Sequence, residues 1–169
     1  MSEKLLTLRD KASMRWLALL LLALAMFCSY IFMDILSPIK DLMQRESGWE
    51  STAFGTMQGA ETFLNVFVFF LIFAGIILDK MGVRFTAVLS GAVMLVGAGI
   101  QYYAISSAFI GSSAEAWFTA HLNYIPGFHE LGVSPFYEGM PASAKLAAIG
   151  FMIFGCGTEM AGITVSRGI

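Results

Sequence analysis

The stretch Gly75-Ile-Ile-Leu-Asp79-Lys80-Met-Gly82-Val-Arg84-Phe85 lies between two long apolar runs, and its reading decides the fold. Charged side chains are costly in hydrocarbon, so Asp79, Lys80 and Arg84 mark a connection at or beyond the membrane boundary. Each remaining position has a physical task. Gly75 removes a side chain where a neighbouring helix can come close, and Gly82 permits the positive φ that a tight turn often requires. Asp79 can accept from Arg84 or face the positive N-terminal end of another helix. The apolar runs on either side are therefore expected to be spans joined by a short turn.

Working outward, the 169 residues are 57% hydrophobic and 13% charged, with a formal charge of −2 and a mean hydropathy of +0.74. Soluble chains carry about 25% charged residues. The deficit excludes a nucleic-acid binder, a disordered tail and a solvated helical array. Cys28 and Cys156 both fall in apolar runs, which suits packing as small hydrophobes and excludes a disulfide scaffold. The eleven methionines read as flexible core filler.

A bilayer core about 30 Å thick needs roughly 20 apolar helical residues. Four stretches qualify, at about 16–36, 51–78, 85–105 and 144–166. The first is too long for an ordinary signal peptide and lacks a small-residue cleavage site, so it reads as a retained helix. The expected fold is an all-α membrane protein of four transmembrane helices in one unit over 1–169. Lys4, Arg9, Lys11, Arg15, Lys80, Arg84 and Arg167 put seven of the ten basic residues on one side. Both termini are therefore expected to be cytoplasmic, in an inner or plasma membrane. Trp16, Trp49, Tyr102, Tyr103 and Trp117 are placed for interfacial anchoring.

The segment at about 106–143 carries Glu115, Glu130 and Glu138 and no Lys or Arg, as an exterior segment should. Its piece Ala114 to Tyr124 suits a short surface helix, followed by an ordered cap punctuated by Gly and Pro. His121 and His129 lack tight ligand spacing and read as exposed loop histidines rather than a metal site.

The pattern G-x3-D-[RK]-x-G-x-[RK], carried by Gly75, Asp79, Lys80, Gly82 and Arg84, resembles the loop signature of major facilitator superfamily (MFS) transporters. It also lies where that family places it, between the second and third helices. The resemblance covers the chain as the first four helices, an incomplete N-terminal half. It implies a carrier of two six-helix halves that rock around a central site by alternating access. Helices one and four would line the cavity, and the signature loop would grip the other half. The partners implied are the lipid bilayer, a small-molecule solute, a coupling ion (H+ or Na+) and the missing C-terminal helices of the same carrier. On this reading the chain is a fragment of a symport-type machine. It departs from the family at one position: an arginine is common within the fourth helix, and here that helix carries Glu159.

Carboxyl groups within the spans demand a partner, a watery cavity or a proton. Glu61 lies in helix two, with Gln58 and Asn65 in the neighbouring turns on the same side. Glu159 lies in the inner half of helix four, on a face with Gly155, Gly162 and Ser166. Asp34 lies near the outer end of helix one. These five, Glu61, Glu159, Asn65, Gln58 and Asp34, are the candidate substrate or proton-coupling residues. A protonatable Glu159 is expected to receive a cationic or amine-bearing solute or the coupling proton. On helix three, Ala87, Gly91 and Gly99, with Gly97 beside them, form a small-residue line suited to close packing.

No nucleophile and base pair, metal cluster or phosphate loop points to an enzyme, and no cofactor is implied. Two other classes fit the composition. One is a self-sufficient four-helix transporter acting as a homodimer, and the other is a non-transporting membrane scaffold.

Overall fold

The computed structural model describes residues 12–168. Lys4, Arg9 and Lys11 of the basic flank lie outside them. Six α-helices make up the described chain: α1 (Ala12–Asp34), α2 (Lys40–Ser47), α3 (Ser51–Phe67), α4 (Phe70–Ala104), α5 (Ser113–Ala120) and α6 (Ala142–Gly168). A 3₁₀ turn, Ser37–Ile39, links α1 to α2, and no strand occurs among the described residues. Three helical stretches, Ala12–Ser47, Phe70–Ala104 and Ala142–Arg167, are long and apolar enough to cross a membrane.

Helix ends follow local chemistry. α1 stops at Asp34, one turn before Pro38, whose ring clashes with the carbonyl four residues back. α2 closes on Gly48 in the left-handed conformation, φ 65°. Ser112 accepts from the Glu115 N–H at 3.2 Å, and Glu115 accepts in return from the Gly111 N–H, which fixes the start of α5. The surface helix expected over Ala114 to Tyr124 is thus shorter and ends at Ala120.

The second apolar stretch differs from the continuous helix expected over 51–78. α3 ends at Phe67, and Phe69 takes a left-handed conformation, φ 54°, before the helix resumes. The break falls within the local sequence Val66-Phe67-Val68-Phe69-Phe70. β-Branched and aromatic side chains crowd the preceding turn and lose χ1 freedom in a helix. A non-glycine residue held at positive φ costs on the order of 1 kcal/mol or more, so the surrounding packing sustains it.

Gly82, at φ 81° and ψ 167°, interrupts α4. Contacts with α6 show what this does to the chain. Trp49 bonds Ser143 and Glu61 abuts Gly155, so α3 runs parallel to α6. Asp79 pairs with Arg167, so the arm 70–81 continues in that direction. Past Gly82 the order inverts, because Ser90 meets Gly157 and Gln101 meets Gly150. The chain therefore reverses at one glycine. α1 is also antiparallel to α6, with Met26 near Gly162 and the Phe32 ring tilted against that of Phe154 at 4.7 Å.

α6 is the helix around which the others gather. Of its apolar window 67% is buried, against 11% for the stretch containing α1. Three of its glycines lie in backbone contact with a neighbour: Gly150 and Gly157 with α4, and Gly155 with α3. From α4, Gly97 returns the contact, since a Cβ there would lie 2.5 Å from the Phe154 nitrogen and 2.6 Å from the Gly150 oxygen. This corrects the small-residue line expected on helix three. Gly91 and Gly99 have no such neighbour within 4 Å. The row facing α6 is Ser90, Met94, Gly97 and Gln101, at the i, i+4, i+7, i+11 spacing of one helix face. Gly91 instead borders a groove beside α1 that also includes Cys28, an exposed thiol rather than a packed one.

Trp49 is likewise corrected. It is 2% exposed and donates its indole N–H to the Ser143 hydroxyl at 2.9 Å, so it locks the start of α3 to α6 rather than anchoring at an interface. At the same end, Lys145 is 1% exposed. Its ammonium donates to the carbonyls of Phe118 and His121, each at 2.9 Å, and to Asn123 Oδ1 at 2.8 Å. Three acceptors match three N–H donors, and the C-terminal carbonyls of α5 are held by a charge. Nearby, burial and the Glu50 carboxylate push the Tyr137 phenol above its usual range.

Two outcomes test this packing. Gly97→Ala lowers stability by about 1–3 kcal/mol, because backbone atoms of α6 cannot yield, whereas Gly99→Ala leaves it equal or raised; thermal unfolding in detergent followed by helical ellipticity reads both. Lys145→Met leaves buried acceptors unpaired and costs about 1–3 kcal/mol, and limited proteolysis should then cut within residues 106–141 well before the helices.

Candidate functional site

Three carboxyl-bearing helices converge on one region. Asp34 is the last residue of α1 and is exposed, while Glu61 of α3 and Glu159 of α6 are half-buried. Glu61 lies against α6 one turn before Glu159, and Gln58, one turn before Glu61, bonds Ser37, three residues after Asp34. Gly155, one turn before Glu159, makes this possible: the backbone and Cγ of Glu61 occupy the space a side chain there would need. A glycine on α6 thus sets how close the carboxyl of α3 comes to that of α6.

Asn65 lies one turn beyond Glu61. Both polar atoms of its amide are buried and neither has a hydrogen-bond partner. Gln58, one turn before Glu61, has a different role. Its amide donates to the Ser37 hydroxyl at 3.1 Å, tying α3 to the turn that follows α1. Of the polar stripe expected on α3, Glu61 and Asn65 remain facing the bundle. Among the described residues, no three His, Cys, Asp or Glu side chains gather closely enough to hold a metal ion.

The break at Val68–Phe69 belongs to the same region. Glu61 abuts Gly155, and Gly75 borders a groove with Ile163, so the interruption between them is level with Glu159. An interrupted helix exposes backbone groups that a continuous one satisfies internally.

On the turn, Gly82 has the left-handed φ that a chain reversal uses. Two details differ from expectation. Gly75 has no neighbouring atom within 4 Å of where a Cβ would stand, so it borders open space rather than a close crossing. Asp79 pairs with Arg167 instead of Arg84. Lys80 and Arg84 are exposed. Gly75, Leu78 and Asp79 border an open surface groove of about 310 Å³ with Ile163, Ser166 and Arg167.

Arg167 therefore does more than mark the end of α6. Its signal in the sequence was a basic residue in the last helical turn, where it favours the negative end of the helix dipole. Lys145 and Gln101 were also missed, and both are buried on faces that hydropathy alone does not distinguish. On α6, a Cβ at Gly162 would lie 3.7 Å from the Met26 methyl, and the Gly162 carbonyl accepts from the Ser166 hydroxyl at 3.0 Å. The face expected to carry Gly155, Gly162 and Ser166 is therefore shared among α3, α1 and the helix's own backbone. His121 stacks on Trp117 at 4.8 Å and His129 lies 5.2 Å from Tyr124.

Asp79 and Arg167 are 59% and 58% exposed, so solvent screens their attraction. A double-mutant cycle with Asp79→Asn and Arg167→Gln, read by thermal unfolding, should give a coupling of about 1 kcal/mol or less and lose most of it in high salt.

The chain matches no family model, no curated protein and no solved structure. Its functional reading rests on the arrangement of its own side chains.

Proposed function

We propose that the chain is part of a secondary active transporter of MFS type, moving a small solute by alternating access, with both termini on the cytoplasmic side. The observation that carries this reading is the unpartnered Asn65 amide beside a set of carboxyls drawn from α1, α3 and α6. Polar groups inside a membrane are costly and mark solute or proton pathways. Nothing in the packing needs these groups, because the backbone contacts of α6 are made by its glycines.

The interrupted helix supports the same reading. Transporter sites are commonly built beside discontinuous helices, whose free backbone ends complete the coordination. Here the break at Phe69 is level with Glu159 and one turn from Asn65. Carboxyls within the spans suit a coupling proton and an amine or other cationic group on the solute. Glu61 and Glu159 would exchange that proton as the solute enters and leaves, with Asn65 orienting it. Asp79 and Arg167 would fasten the cytoplasmic end in one of the two states, and the exposed Lys80 and Arg84 would meet the other half of the carrier.

The test uses the product of the intact gene in proteoliposomes with a trapped pH-sensitive dye, challenged with a panel of small amines. A solute-dependent proton flux is expected. It should fall by about tenfold or more in Glu61→Gln and in Glu159→Gln, since each removes a proton-binding carboxyl from the membrane interior. Asn65→Ala should weaken solute affinity more than the maximal flux. Unchanged flux in both glutamine variants removes the carboxyls from the mechanism.

A further inference from the structure

A cavity of about 190 Å³ lies at the Trp49 end of the bundle. Phe32 of α1, Trp49, Phe54 and Met57 at and after the start of α3, and Ala147 of α6 supply its apolar walls. Gln101 of α4 is the polar side chain on the inner wall. It is 8% exposed, and its Nε2 has no acceptor. The other polar group at hand is committed, since the Trp49 indole already donates to Ser143. None of Asp34, Glu61 and Glu159 lines this space, so it is separate from the carboxyl region.

The occupant can be argued from what the walls offer. A buried water needs two to four polar partners, and this cavity presents one. A dry apolar cavity of about 150 Å³ accepts benzene, so the present volume suits a single ring with a short substituent. Charge is excluded because no Asp, Glu, Lys, Arg or His side chain lines the space to balance it. An orphaned amide N–H in an apolar wall is relieved by a hydrogen-bond acceptor on the ligand. Tyr102 borders the same cavity and is 76% exposed, so the cavity opens at the outer surface of the bundle, where an apolar molecule can enter.

We propose that this cavity binds a neutral, ring-sized apolar molecule bearing one hydrogen-bond acceptor, which pairs with the Gln101 amide. The site is independent of the transport reading and stands or falls separately from it.

The chain in lipid nanodiscs, titrated with 4-fluoroacetophenone and followed by fluorine NMR, tests the assignment. The matched probe 4-fluorocumene has the same outline and no acceptor. Protein-dependent, saturable broadening is expected for the ketone, displaced by unlabelled acetophenone. Gln101→Leu should weaken the ketone by about tenfold and leave the hydrocarbon unchanged or tighter, as expected when a specific hydrogen bond is lost. Ala147→Phe fills the cavity and should abolish both signals. Ala98→Leu fills it from α4 and serves if the first variant fails to give a monodisperse helical protein. Equal signals in empty nanodiscs, or no change on filling the cavity, mean simple bilayer partition and overturn the proposal. Saturable binding that Gln101→Leu leaves unaltered overturns it as well.

Discussion

The fold depends on backbone-to-backbone approach along α6. In a bilayer, apolar surface gains nothing by leaving lipid for protein, so helices hold together through close van der Waals packing and interhelical hydrogen bonds. α6 supplies both. Gly150 and Gly157 admit the Gly97 and Ser90 faces of α4, and Gly155 admits the backbone of α3. The Ser143 hydroxyl receives the Trp49 indole at the helix's beginning, and Arg167 meets Asp79 at its end. α1 has no comparable set of small residues and leaves most of its leucines uncovered, which a lipid environment tolerates.

That packing also fixes the chemistry. A larger residue at 155 would push α3 outward and take Glu61 away from Glu159, so the glycine that stabilises the helix pair is the same one that gathers the carboxyls. Structure and proposed function are therefore coupled at a single position. The break at Phe69 adds a second coupling. The helix could have run on through 68 and 69 at lower conformational cost, and the interruption falls in the stiff Val-Phe run there, level with Glu159. Strain of this kind persists where the surrounding contacts over-determine it, and here Phe63 and Phe67 pack edge-on against Phe128 of the 106–141 segment.

Much of this was legible in the sequence because membrane helices are written in long apolar runs and few charges. The helical class, the turn glycine at 82 and the placing of Glu61 and Asn65 on one side of a helix all follow from residue type and spacing, whereas the approach of Glu61 to α6 does not. What was hidden has a common cause. Hydropathy averages over a helix and does not say which side faces a partner, so Gly97 was set aside in favour of Gly91 and Gly99. An indole placed near a helix end reads equally well as an interfacial anchor or a buried clamp, and only its pairing with Ser143 decides for Trp49. The role of Lys145 is not readable from its neighbours in sequence, because its three acceptors come from residues more than twenty positions away. The interruption at Phe69 was masked by the very apolarity that announced the span.

The pairing at the Gly82 turn gains its sense from helix dipoles. Asp79 stands near the C-terminal end of the arm 70–81, where exposed carbonyls already make the potential negative and a carboxylate is disfavoured. α6 ends at the same level, with its own unpaired carbonyls. Two helix C-termini and one carboxylate would repel, and a cation between them turns the arrangement favourable. Arg167 occupies that place. Because the pair is exposed, its attraction is modest, and a competing partner for either group could displace it at little cost. The buried Lys145 clamp at the other end of α6 differs in kind, since one ammonium there is held by three acceptors at once.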